Sequence, residues 1–292
     1  MPFELARCAD LVRAQDGENA ALTLERLASL TDQRQLIHYV FVEDQVDGKS
    51  HIWGAGFTVL VGGEVARPAM AGHVDRLIDW LTQPRTAGRD AVLGPAGQAT
   101  ARRGGDLHAV VLGFAIDPNP DCPRQQVHSL AQRAFLHAHS GYGLRSLIGE
   151  VDDSLRRADD YRASLVAMGC RAAPRREGSS TQVYFLSAAE MAQRPYHVLQ
   201  PVFRDAEPVL RLSPAQRLQA ELALLGYDDD EIAKLTDVTR DTVSKRWAHL
   251  FHAVDKHLPG QLWPSSAQVI RGPAKRRPLL NYLDVNVQEL RP

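Results

Sequence analysis

The chain has 292 residues, 44% of them hydrophobic, with 34 Lys and Arg against 35 Asp and Glu. That length accommodates two domains at about 100–200 residues each, and the apolar content builds ordinary buried cores, which excludes a disordered or fibrous protein. Balanced charge excludes a uniformly basic nucleic-acid coat, so any nucleic-acid contact has to be local.

Of the basic residues 29 are Arg and five are Lys, so a single Arg says little about function. Cys8, Cys122 and Cys170 offer no C-x-x-C pair and no even-numbered framework, which points to a reducing cytoplasm without disulfides or a cysteine zinc site. Glu4, Arg7, Asp10 and Arg13 break up any signal-peptide core. The longest apolar runs, around Leu36–Val42 and His108–Ile116, are far shorter than the roughly 18 residues of a membrane span. The expectation is a cytoplasmic protein with no membrane contact.

In chain order, Leu22, Leu24, Leu27 and Leu30 predict an amphipathic helix over Ala20–Leu30. Leu36–Glu43 and His51–Val61 read as strands joined by a turn at Asp44–Gly48. Val74–Leu81 reads as a helix, and Gly88–Gly105 as a long Gly- and Arg-rich loop. Leu107–Ile116 is a buried strand ended by Asp117-Pro118-Asn119-Pro120. A helix over Gln125–Ser140, a strand at Leu144–Val151, a helix at Leu155–Met168 and a strand at Gln182–Leu186 follow. This alternation predicts an α/β N-terminal domain over residues 1–198, a mixed sheet with crossover helices, for sensing or dimerisation. Pro201 and Pro208 mark a linker at 199–211. Before Arg211 there are 22 basic and 25 acidic residues, and from Arg211 onward 12 and 10, so the second part is the anion-facing half.

Residues 212–258 carry consistent local signals. Ser213 is an N-cap, Pro214 sits at the first helical position, and Gln216 completes a capping-box spacing. Leu218, Leu222 and Leu225 recur on one face, and Gly226 stands where a left-handed residue ends the helix. Asp228 caps a second helix with Glu231 three residues on, Ile232 and Leu235 supply its apolar positions, and Thr236-Asp237-Val238 forms a short turn. Thr239 caps a third helix with a buried stripe of Val243, Trp247, Leu250 and Val254. Three short helices with a tight second turn form an all-α helix-turn-helix unit, whose third helix enters a major groove by its N-terminus.

Leu212-Ser213-Pro214, Gly226, Glu231-Ile232-Ala233, and Thr239 with Thr242-Val243 stand in register without insertion or deletion. With these motifs the segment resembles the DNA-binding domain of LuxR-type regulators. It departs from their pattern at Thr236 for leucine, Asp237 for the turn glycine and Ser244 for lysine, and by Asp228-Asp229-Asp230 at the start of the second helix. Residues 212–258 hold six basic and eight acidic side chains, an unusual balance for a partner of a polyanion. The resemblance implies a bacterial transcription regulator, not an enzyme, that binds double-stranded DNA as a homodimer without a cofactor.

On the third helix, Arg240, Asp241, Ser244 and Lys245 lie away from Val243 and Trp247 and are the candidates for base edges. For Asp241, stabilisation of its own helix is the equal alternative. Thr239, Thr242 and Arg246 are placed for phosphates. The extension 259–292 has five basic and two acidic residues, and Arg271, Lys275, Arg276 and Arg277 are candidates for further phosphate contacts. The alternative is a tail whose Leu279, Leu280, Tyr282 and Leu283 dock on the protein.

The Trp, Tyr and Asp constellation of acyl-homoserine-lactone receptors is not found in the N-terminal part, so any small-molecule effector is of unknown identity. The order His108–Pro118, Gln125–Ser140, Leu144–Val151, then Asp160-Tyr161 through Met168-Gly169-Cys170 resembles the second half of the GNAT acyltransferase fold. That family cradles the acyl-CoA pyrophosphate on a glycine-rich turn, whereas Pro118–Val127 contains no glycine, which implies a degenerate cofactor site. The rival functions are therefore an acyl-CoA-dependent acyltransferase-like protein with a helix-turn-helix appendage, or a protein-binding module. His137 with His139 points to different helix faces, Glu150, Asp152 and Asp153 read as a solvated loop, and Ser179-Ser180 lacks nucleophile partners.

Overall fold

His51–Val61 and Leu107–Ile116, both supplied with β-branched and aromatic residues, pair antiparallel within a mixed sheet. The computed structural model describes residues 3–16, 20–32, 38–46, 49–83, 91–154, 158–263 and 272–292. The chain divides into one unit of Met1–His139 with Gly143–Arg204, and a second of Ser140–Tyr142 with Asp205–Pro292.

The first unit runs α1 (Phe3–Asp16), α2 (Ala20–Asp32), β1 (His38–Val46), β2 (Lys49–Gly62), α3 (Gly63–Met70), α4 (Leu77–Thr82), α5 (Pro95–Arg103), β3 (Leu107–Ile116) and α6 (Arg124–His139). It continues through β4 (Ser146–Asp152), α7 (Ala158–Ala167), β5 (Arg171–Ala172), β6 (Thr181–Ser187), α8 (Ala188–Ala192) and α9 (Gln200–Phe203). Among the described residues the sheet has six strands in the order β1-β2-β3-β4-β6-β5. All neighbours are antiparallel except β3 and β4, which run parallel and are joined by α6.

A bulge in β3 decides which side chains face which core. The register slips opposite Phe57 and Thr58, leaving Leu112 as the extra residue. As a result Val110, Leu112 and Ala115 face the main core with Leu11, Leu27, Val59 and Ile148, while Phe114 and Ile116 face α6 with Val127 and Ala131. Pairing of β3 with β4 covers only His108–Val111. Beyond it, the Tyr161 hydroxyl of α7 donates to the Phe114 carbonyl at 2.9 Å.

Several expectations need correction. The loop expected over Gly88–Gly105 contains α5, started by Pro95 at its first turn behind Gly94; buried Gln98 secures it by donating from Nε2 to the Leu93 carbonyl at 2.8 Å. Residues 88–90 lie outside the described residues. The turn expected at Asp44–Gly48 begins later, because β1 stays paired through Val46 with Lys49; residues 47 and 48 are outside the described set. The helix expected over Val74–Leu81 starts at Leu77, whose amide donates to the Glu150 carboxylate at 2.7 Å. Leu36 and 155–157, parts of an expected strand and an expected helix, also lie outside the described residues. Within the expected linker 199–211, α9 belongs to the first unit: Val202 is fully buried and its carbonyl accepts from the Leu144 amide at 3.2 Å.

The second unit carries α10 (Pro214–Leu224), α11 (Asp229–Leu235), α12 (Arg240–His257), α13 (Gly272–Val285) and a 3-10 turn at Val287–Leu290. Its core gathers Leu210, Leu212, Ile232, Val243, Trp247, Leu250, Val254, Trp263, Leu279, Leu283 and Leu290. Buried Glu289 accepts from the Val209 and Leu210 amides at 3.0 and 2.8 Å and from the Tyr282 hydroxyl at 3.0 Å, fixing the extended segment that enters this unit. Gly141 has φ +80°, and a Cβ there would lie 2.7 Å from Gln288 Cα, so both conformation and space require glycine.

One buried network makes stability depend on pH. His108 is 2% exposed, with Nδ1 2.7 Å from Ser146 Oγ and Nε2 3.2 Å from Asp106 Oδ1. Burial is the largest influence and holds its imidazole below the ordinary histidine value of 6.5, against the opposing pull of Asp106. The unfolded chain therefore binds this proton first as pH falls, and stability is lost on acidification below about 6.5. In thermal melts between pH 7 and 5, His108→Asn should reduce the acid-induced fall in Tm; an unchanged fall assigns the effect elsewhere.

Candidate nucleic-acid interface

Each helix of the motif starts on a side-chain cap. Ser213 and Gln216 form a reciprocal capping box on α10, Asp228 and Glu231 form another on α11, and Thr239 accepts from the Thr242 amide on α12. Gly226 ends α10 with φ +92°, and Asp237 turns between α11 and α12 with φ +52°. Thr236 completes that turn by donating from its hydroxyl to the Ile232 carbonyl at 2.7 Å. Asp237 can hold this turn because a short polar side chain tolerates the left-handed backbone, while Thr236 keeps a negative φ of −99°.

Val243, Trp247, Leu250 and Val254 are buried, the stripe expected for α12. The apolar face expected for α10 is buried only in part, at Leu222, which packs against the core. Leu218 is 46% and Leu225 75% exposed, while Gln219 and Ala220 are buried. On the buried side the Gln219 amide donates to the Val243 carbonyl at 3.1 Å, beside Ala220, Ala223 and Leu224, which pack into the same core. Leu235, expected at an apolar position of α11, is exposed.

The three consecutive carboxylates divide into separate tasks. Asp228 caps its helix. Asp229 accepts from the Trp247 indole at 3.0 Å and from Arg276 at 2.7 Å, and the Arg276 guanidinium lies 4.5 Å from the centre of the same indole. Asp230 pairs with Arg240 at 3.3 Å. A second clamp repeats the first: Asp255 accepts from the Trp263 indole at 2.6 Å and from Lys275 at 3.3 Å, with the ammonium 4.7 Å from the ring centre. These two clamps fasten α13 to α11 and α12.

Among the tail residues named from the sequence, Lys275 and Arg276 are thus engaged within the unit, Arg277 is exposed, and Arg271 lies outside the described residues. Leu279 and Leu283 are fully buried and Leu280 and Tyr282 partly so, which makes the extension a packed fourth helix. The signal for this was present as tryptophan, carboxylate and cation, but their meeting depends on the fold.

On the opposite side of α12, Arg240, Asp241, Ser244 and Lys245 are exposed, Thr242 and Arg246 are half-buried, and Thr239 is exposed while its hydroxyl serves the cap. Lys245 pairs with Asp241 at 2.7 Å, and this hydrogen bond raises the lysine above its ordinary value. Both basic candidates for base contact therefore carry an intramolecular carboxylate partner.

In the first unit, the stretch leading into α6 is held by local hydrogen bonds and by β2, where His51 Nε2 lies 2.6 Å from Asp117 Oδ2 and the Asp117 amide donates to the Trp53 carbonyl at 2.9 Å. Asp117 and Asn119 accept from the amides of Asn119 and Asp121 at 2.8 and 3.0 Å, and Arg124 reaches back to the Asp117 and Pro118 carbonyls. Asp152 and Asp153, read as solvated, are used locally: Asp152 accepts from Ser154, and Asp153 pairs with Arg162 and Arg175. His139 donates from Nδ1 to the Phe135 carbonyl at 2.8 Å. Among the described residues no group of three or more His, Cys, Asp or Glu side chains is arranged to hold a metal ion.

No family model matches this chain, and neither a curated protein nor a solved structure matches it.

The clamps make α13 part of the unit's stability. Arg276→Ala should lower the unfolding free energy by about 1–3 kcal/mol through loss of the cation–π contact and the charge-assisted hydrogen bond. Arg277→Ala should stay within about 0.5 kcal/mol of the parent. Urea titrations followed by tryptophan fluorescence compare the two; equal effects would remove the special status of the Arg276 clamp.

Proposed function

We propose that this chain is a sequence-specific regulator of transcription of the LuxR type, not an enzyme, which binds double-stranded DNA as a homodimer in the cytoplasm. The observation that carries this reading is the α11–turn–α12 geometry: a left-handed Asp237, a capped α12 anchored by Val243 and Trp247, and an exposed opposite side bearing Arg240 and Lys245. That arrangement suits insertion of the first turns of α12 into a major groove, and a two-fold dimer would read two half-sites. Among the described residues no helix is long and apolar enough to cross a membrane, which is compatible with this setting.

A second reading concerns the first unit. The parallel β3–β4 pair joined by α6, with antiparallel strands on both sides, supports a GNAT-like scaffold. Its α6 entry has no glycine, and the Asn119 and Asp121 amides are taken up by neighbouring side chains, which favours a sensing or dimerising role over acyl transfer. Calorimetric titration with acetyl-CoA discriminates: saturable binding would favour the acyltransferase-like alternative.

The primary test is selection of genomic DNA fragments by the full chain at several salt concentrations. An enriched sequence is expected, and its absence at every salt would overturn the proposal in favour of a protein-binding helix-turn-helix. On a selected duplex, Arg240→Ala should weaken binding by about 1–3 kcal/mol and relax one position of the site. Arg246→Ala should weaken selected and scrambled duplexes alike and reduce the salt slope by about one.

A further inference from the structure

The ion pair on the exposed side of α12 has the donor and acceptor order of one particular base pair. Lys245 Nζ and Asp241 Oδ2 are 2.7 Å apart, at i and i+4 in the first two turns of α12, with their side chains 72% and 73% exposed. Arg240 is instead drawn toward α11 by Asp230. The Asp241–Lys245 couple is thus the donor–acceptor unit contained wholly on this side of α12.

In the major groove a G·C pair presents guanine N7 and O6 as adjacent acceptors, followed by the cytosine N4 donor. Guanine O6 and cytosine N4 are themselves hydrogen-bonded, so they stand about 2.9 Å apart, close to the separation within the ion pair. An ammonium over N7 and O6 with a carboxylate on N4–H would keep its intramolecular partner while both groups meet complementary base atoms. An A·T pair offers an acceptor and a donor at the same spacing, thymine O4 and adenine N6, but with less favourable flanks. Its single donor, adenine N6–H, is flanked by the acceptors N7 and thymine O4, so a carboxylate there faces a lone pair, and the thymine methyl crowds the site.

The geometry points to Asp241 and Lys245 as a joint reader of one G·C base pair in each half-site, with Asp241 a specificity-determining residue. This inference rests on the DNA-binding reading above and supplies its base preference. It also assigns Asp241 a second effect. The carboxylate neutralises Lys245, so contact with arbitrary phosphates releases one counterion fewer, and non-specific binding stays weak.

The test uses the full chain and a random duplex pool, followed by titration of the selected duplex and of its G·C→A·T variant over a salt series. The parent should enrich a G·C pair and prefer it by about tenfold or more. Asp241→Asn should bring this ratio toward one, strengthen binding to scrambled duplex, and steepen the salt slope by about 0.9 as Lys245 becomes free for phosphate. Lys245→Gln should also abolish the preference without steepening the slope. Loss of a merely helix-stabilising carboxylate would not produce the steeper slope. If Asp241→Asn and Lys245→Gln keep the same base preference at every position, the joint reader is overturned while the DNA-binding reading stands. If the parent enriches no sequence at any salt, the DNA-binding reading itself falls.

Discussion

The second unit depends on a carboxylate placed between an indole and a cation. Asp229 receives Trp247 on one oxygen and Arg276 on the other, and Arg276 stacks on the ring that Asp229 holds. Three helices are joined at one point, since Asp229 starts α11, Trp247 belongs to α12 and Arg276 to α13. The same construction at Asp255, Trp263 and Lys275 secures a second point along α12 and α13. Each charge keeps hydrogen bonds and partial solvent access, which avoids the large desolvation cost of a fully buried pair.

This arrangement gives each of three consecutive carboxylates at one helix start a partner of its own. Asp228 is consumed by capping, Asp229 by Trp247 and Arg276, and Asp230 by Arg240. All three also lie where the helix dipole favours negative charge. The charges that matter to a polyanion are then those of pairs rather than of isolated side chains. If α12 enters a groove as proposed, a surface made of such pairs would gain little from counterion release and would draw its affinity more from base edges.

In the first unit, polar residues that look chemically suggestive are likewise committed to architecture. Glu150 holds the start of α4, Asp153 joins two arginines, and the His108–Ser146 contact lies in the interior, where both side chains are almost fully covered. Cys170 is half-buried, and its thiol is pushed up to about 11 chiefly by burial, which suits packing rather than nucleophilic chemistry.

Local order was legible from the sequence wherever a signal spans a few residues. The caps at Ser213, Asp228 and Thr239, the stripe on α12 and the strand Leu107–Ile116 follow from spacing alone, because backbone hydrogen bonding and side-chain periodicity are short-range. Helix α5 was hidden by its glycines and arginines, since its security comes from Gln98 and from packing. The burial of Gln219 on α10 was not legible, because its partner, the Val243 carbonyl, lies 24 residues away. The same distance problem governs the site. The sequence alone determined which residues of α12 point away from its core, whereas only the tertiary structure decided which cations pair with carboxylates of other helices. Ion pairs and cation–π contacts such as Asp229–Arg276 and Asp230–Arg240 form between segments that only packing brings within a few ångströms.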